Sequence, residues 1–177
     1  MKKYLLFAVI AVIAIVGVVV SQNFRMIREE LTGYEEVPAI STPGSGTFSA
    51  RINKSDSSVS YQLTYGGTET DVTQSHIHFE NRTNNGPIVV FLCSNLGNGP
   101  QGTQPCPPQG GTISGTIDED DVLAAGTSGI AAGEFDEFLA AMRAGATYVN
   151  VHTVGRTGGE IRSQIDLDPG FGRHDGH

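Results

Sequence analysis

Residues 47–65 read TFSARINKSDSSVSYQLTY. Phe48, Ala50 and Ile52 alternate with polar or charged neighbours, and Val59, Tyr61, Leu63 and Tyr65 do the same. A period of two places each set on one face of an extended strand. The intervening NKSDSS is made of turn formers. The stretch therefore predicts a β-hairpin with one apolar face.

The pattern continues outward. Residues 75–79 (SHIHF) alternate, as do 112–117 (TISGTI), 148–153 (YVNVHT) and 160–165 (EIRSQI). Residues 87–92 (PIVVFL) are continuously apolar, which suits a strand covered on both faces. The chain has 23 Gly and 8 Pro, many of them between these runs. About seven short strands punctuated in this way predict an all-β sandwich or barrel. One segment departs from the period. Over 134–144, Phe135, Phe138, Leu139 and Met142 recur at helical spacing and Gly145 follows as a stop, so a single short helix is expected against the edge of the β body. A helical turn is also expected near 118–123. Asp118, Glu119, Asp120 and Asp121 would lie at its start, where carboxylates cap free N–H groups. A calcium site is the alternative, although the spacing lacks the ligand pattern of a helix–loop–helix calcium loop.

Composition narrows the function classes. The 177 residues carry a net charge of −8, with 11 Lys and Arg against 19 Asp and Glu. Such an acidic chain is not expected to bind nucleic acid. A hydrophobic share of 38% is too high for a disordered chain. Lys2 and Lys3 precede an uncharged apolar run over 4–20. That arrangement is a signal peptide or signal-anchor helix. The run is longer than a usual signal core, so an uncleaved anchor with a cytoplasmic N-terminus is expected, a cut before Gln22 being the alternative. The expected organisation is signal or anchor over 1–21, linker over 22–30, a folded domain over 31–166 and a tail over 167–177. The domain would lie outside the cytoplasm, tethered to a membrane or secreted. Cys93 and Cys106 would then meet an oxidising environment. A disulfide between them closes a loop poor in apolar side chains and contributes about 3 kcal/mol in the chain-entropy model, two reactive thiols or a metal pair being the alternative. Asn53 and Asn81 each begin an N-x-[ST] triplet, a modification site only in a host that glycosylates.

The chemistry-bearing residues are histidines. His76 and His78 are two apart in a strand, so both face one side while Ile77 faces the other. In YVNVHT, Asn150 and His152 share the face opposite Val149 and Val151. If the two strands are neighbours, three imidazoles converge, a set suited to copper or zinc. The other readings are structural hydrogen bonding, with Glu160 and Arg162 as partners or as an ion-pair network of their own, and direct recognition of a small ligand or protein. His174 and His177 fall in the tail. No G-x-S-x-G elbow or phosphate-binding loop is present, and Ser75 beside His76 points the wrong way for a triad. A non-catalytic binding or structural role is therefore expected, with a metal-binding, redox-capable protein as the alternative.

Three blocks of the chain resemble one known family. LTGYEEVPAISTPGSGTF (31–48) is similar to an L-x-G-x-x-E-V-P opening. SHIHF followed by NGPIVVFL (75–92) is similar to an A-H-I-H…N-G-P-V-V block. AGATYVNVHTVGRTGGEIRSQI (144–165) is similar to an A-G-x-x-Y-V-N-V-H-T…G-G-E-I-R-G-Q closing block. The family is that of the CHRD domain, named after chordin and common in exported microbial proteins. The resemblance implies an immunoglobulin-like β-sandwich or barrel, and His76, His78, Asn150, His152, Glu160 and Arg162 are the polar residues that match it. It implies no catalytic activity. The chain departs from the pattern at Ala39, Thr157 and Ser163, which touch local turns.

Overall fold

The alternation read from residues 47–65 becomes β2 (Ser45–Ile52) and β3 (Val59–Gly66), paired antiparallel with Phe48 opposite Leu63, Ala50 opposite Tyr61 and Ile52 opposite Val59. All six of these side chains are buried. At the hairpin turn, Asn53 accepts from the Ser57 N–H at 2.9 Å and its amide donates to the Ser57 and Ser58 hydroxyls.

A computed structural model describes residues 26–166. Around the hairpin lie β1 (Met26–Thr32), β4 (Val72–Phe79), β5 (Ile88–Ser94), β6 (Gly111–Ile117), β7 (Thr147–Thr153) and β8 (Ile161–Ile165), with one helix, α1 (Phe135–Arg143). The described residues are thus all-β with a single α-helix. The eight strands form one sheet in the order β5-β4-β7-β8-β1-β2-β3-β6, every pair antiparallel. Its two end strands curl toward each other, giving a nearly closed barrel. The seam between them is bridged by side chains. Gln104 donates to the Leu92 carbonyl of β5 at 3.1 Å, to the Ser114 carbonyl of β6 at 3.2 Å and to the Tyr61 hydroxyl at 2.9 Å. A disulfide joins Cys93 of β5 to Cys106, in the segment leading into β6. Asn95 braces that segment, accepting from the Cys106 N–H and donating to the Cys106 and Val72 carbonyls.

The helix forms where the stripe predicts it. Phe135, Phe138, Leu139 and Met142 are buried in the core cluster, and Gly145 closes the helix at φ 67°. Asp118 caps a short 3-10 turn (Glu119–Asp121), accepting from Asp120 N–H, while Asp121 accepts from Asp118 N–H. One strand was not legible. β1 begins at Met26, inside the stretch expected to be linker. Its buried residues, Ile27 and Leu31, are separated by Arg28, Glu29 and Glu30, which break the apolar alternation. The signal or anchor segment and the tail, with His174 and His177, lie outside the described residues. Among the described residues no helix is long and apolar enough to cross a membrane.

Candidate metal centre

Strands β4, β7 and β8 lie side by side, and their two faces differ. Ile77, Val149, Val151, Ile161 and Ile165 belong to the apolar core. The alternate positions carry His76, His78, Tyr148, Asn150, His152 and Arg162. The register places His76 opposite Asn150, His78 opposite Tyr148 and Asn150 opposite Arg162. These polar residues are no more exposed than the core, because loops cover them. His76 is 0%, His78 7%, Asn150 2%, His152 6% and Arg162 0% exposed.

The three histidines converge, as strand neighbours must. Each can offer a ring nitrogen such that all three atoms lie within 4.8 Å of one another. His76 Nδ1 is 3.1 Å from His152 Nε2. Two nitrogens on a tetrahedral ion at about 2.0–2.1 Å sit about 3.3 Å apart, so this pair already has ligand spacing.

The hydrogen bonds fix the tautomers. His78 Nδ1 is 2.8 Å from the Gly86 carbonyl and His152 Nδ1 is 2.9 Å from the Thr157 carbonyl. A carbonyl only accepts, so both Nδ1 atoms carry the proton and both Nε2 atoms carry a lone pair. His152 Nε2 then accepts from His76 Nδ1–H, which leaves His76 Nε2 deprotonated too. His76 Nε2 and His78 Nε2 are buried without a partner. Burial also keeps the rings neutral. It pushes His76 down to about 2 and His78 down to about 4, with neighbouring imidazoles adding to the effect, and it lowers His152 as well. Neutral imidazoles whose second nitrogen is tied to a carbonyl are in the state a metal ligand requires.

The surrounding contacts hold these rings in place. His78 stacks on Tyr148 with centroids 4.7 Å apart and planes 2° from parallel, and Phe91 meets His76 edge-on at 4.4 Å. The Arg162 guanidinium lies 3.4 Å over the Tyr148 ring. It donates to the carbonyls of Asn81, Arg82 and Asn84 and to Asn85 Oδ1. That loop ends at Gly86, whose N–H donates to the Tyr148 hydroxyl. A Cβ at Gly86 would lie 2.2 Å from the Phe79 carbonyl oxygen, so only glycine brings this backbone close enough to serve His78.

Glu160 and Arg162 depart from the expected roles. Neither is a hydrogen-bond partner of the histidines, and they form no ion pair with each other. Glu160 accepts from the Thr42 hydroxyl at 2.6 Å, the Glu69 N–H at 2.8 Å and the Thr153 hydroxyl at 2.7 Å. Strand-face parity put the two residues together, but each has its own partners: Thr42, Glu69 and Thr153 for Glu160, and the 81–85 loop for Arg162. The acidic cluster at 118–121 lies apart from the histidines too. Asp118, Glu119 and Asp120 line a surface groove of about 680 Å3 with Glu134 and Asp136, and no histidine lines it.

Sequence reasoning missed Glu36. It lies beyond β1, past the 3-10 turn Gly33–Glu35, is 5% exposed and has Oε1 buried without a partner. Burial raises its carboxyl to about 7, against the opposing pull of the Arg162 charge. The signal was present, since Glu36 is the acidic residue of the L-x-G-x-x-E-V-P block.

No curated protein and no solved structure matches the chain. The family model of the CHRD domain matches residues 27–165, from the second residue of β1 to the last of β8. A match over that span takes in every strand and all three histidines, and the chain belongs to the CHRD-domain family.

Proposed function

We propose that this CHRD domain is an exported metal-binding module in which His76, His78 and His152 hold one copper or zinc ion. The observation that carries the reading is the paired set of carbonyl contacts at Gly86 and Thr157, which turns Nε2 of His78 and of His152 into ligands beside His76. Of the two roles expected from the sequence, this favours the metal site over an unspecified binding or structural role. A purely structural network would leave His76 Nε2 and His78 Nε2 buried and unpaired, each costing about 1–3 kcal/mol. An ion relieves His78 Nε2 directly; on His76 it takes Nδ1, the atom at ligand spacing from His152 Nε2, and the ring proton moves to Nε2. Export is supported by the apolar N-terminal run and by the Cys93–Cys106 bond, which persists in an oxidising compartment. Anchoring through residues 1–21 is part of the same proposal.

The test is metal analysis and titration of the full chain purified without a histidine tag. One copper or zinc ion per chain is expected, with affinity falling at least about 100-fold in His152→Ala. Absence of stoichiometric metal, or affinity unmoved by that substitution, would overturn the reading.

A further inference from the structure

Three histidines leave a tetrahedral ion one ligand short, and the next polar groups on this face are themselves unsatisfied. Asn150 lies directly across from His76 and two residues before His152, and its Oδ1 is buried without a partner. It interacts through its side chain with His78, whose Nε2 is also unpaired. Glu36 reaches the same place from the turn after β1, bringing the unpaired Oε1. The two meet beside Gly159. A Cβ there would lie 2.4 Å from Glu36 Oε1 and 2.9 Å from the Asn150 amide nitrogen, so a side chain at 159 would invade the niche. Glu36 stands outside the group of three histidines whose ligand atoms lie within 4.8 Å of one another, so it is placed here beside the ion and not on it.

We propose, resting on the metal reading above, that Glu36 and Asn150 hold a water molecule on the open position of the metal. Glu36 Oε1 accepts, while the Asn150 amide donates through the nitrogen beside it and accepts through its unpaired Oδ1. A group between them and the ion must donate to the carboxylate while giving a lone pair to the metal, and water does both. An anion would face the carboxylate. The centre is then open to ligand exchange, unlike a closed structural site.

The experiment loads the tag-free full chain with copper(II) and records its electron paramagnetic resonance in ordinary and 17O-enriched water. In the wild type, coupling to three nitrogens is expected together with 17O broadening of the copper lines. In Asn150→Leu and in the near-isosteric Glu36→Gln, the nitrogen coupling should persist while the 17O broadening falls at least twofold. Unchanged broadening in both variants, or no broadening in a wild type that shows three nitrogens, would overturn the proposal alone. Loss of nitrogen coupling in both variants would also overturn it, by making Glu36 and Asn150 supports for the histidines. A wild type with no copper–nitrogen coupling would instead remove the metal reading and this one with it.

Discussion

The two faces of β4, β7 and β8 share one backbone and one degree of burial, yet they follow different rules. On the core face Ile77, Val149, Val151, Ile161 and Ile165 need nothing but neighbours. On the other face His76, His78, Asn150 and Arg162 are equally dry, and each keeps a polar atom without a partner. Folding alone does not favour such a face, because hydrophobic side chains of similar volume would cost less to bury. Strand β7 is buried at all seven positions, so exposure says nothing about which face carries chemistry. The unsatisfied atoms do: apart from Thr147 Oγ1, those of these three strands all lie on the histidine face.

That contrast can be broken most severely from the core side. Ile77→Asn removes apolar volume and adds an unpaired amide, and should cost about 4–5 kcal/mol in urea denaturation. A loss near zero would show that the apolar face is no better packed than the polar one.

A smaller effect tests the polar face through pH. Glu36 is raised to about 7 from 4.5, so between those values the folded protein holds a proton that the unfolded chain has lost. Stability contributed by this group therefore falls as pH rises across the window and is gone above about 7. Glu36→Gln should match the metal-free wild type near pH 4.5 and exceed it by about 3 kcal/mol at pH 8. Parallel stability curves would refute the assigned burial cost. The histidines act with the opposite sign. His78 is lowered to about 4 and His76 to about 2, so the unfolded chain binds protons first and the metal-free protein loses stability as pH drops below 6.5.

The smallest expected effect sharpens the comparison further. His76→Leu removes the unpaired His76 Nε2 but strands His152 Nε2, leaving the number of orphaned nitrogens unchanged. Beside Phe91 the new side chain gains apolar contact. Metal-free stability should move by only about 1 kcal/mol in calorimetry, while metal binding is lost. A loss comparable to that of Ile77→Asn would mean that the imidazole is a structural keystone.

Much of this was readable before any fold was known. Strict alternation exposed β2, β3, β4, β7 and β8, and the same parity put His76, His78 and His152 on one face. β1 escaped because Arg28, Glu29 and Glu30 hide a strand whose burial rests on Ile27 and Leu31. The site was legible only where side chains supply it. Gly86 and Thr157 act through carbonyls, which every residue has, and Gly159 acts through the space it leaves. Glu36 is a surface-type residue in sequence, and only the turn after β1 carries it inward.

The seam carries a consequence for the life of the chain. One covalent link, Cys93 to Cys106, spans the gap where backbone pairing stops, with Gln104 and Tyr61 stitched beside it. A copy held in a reducing cytosol keeps two thiols there and a seam closed by hydrogen bonds and apolar packing without a covalent link. On the export proposed above, transport does more than deliver this protein, because the destination supplies the final clasp.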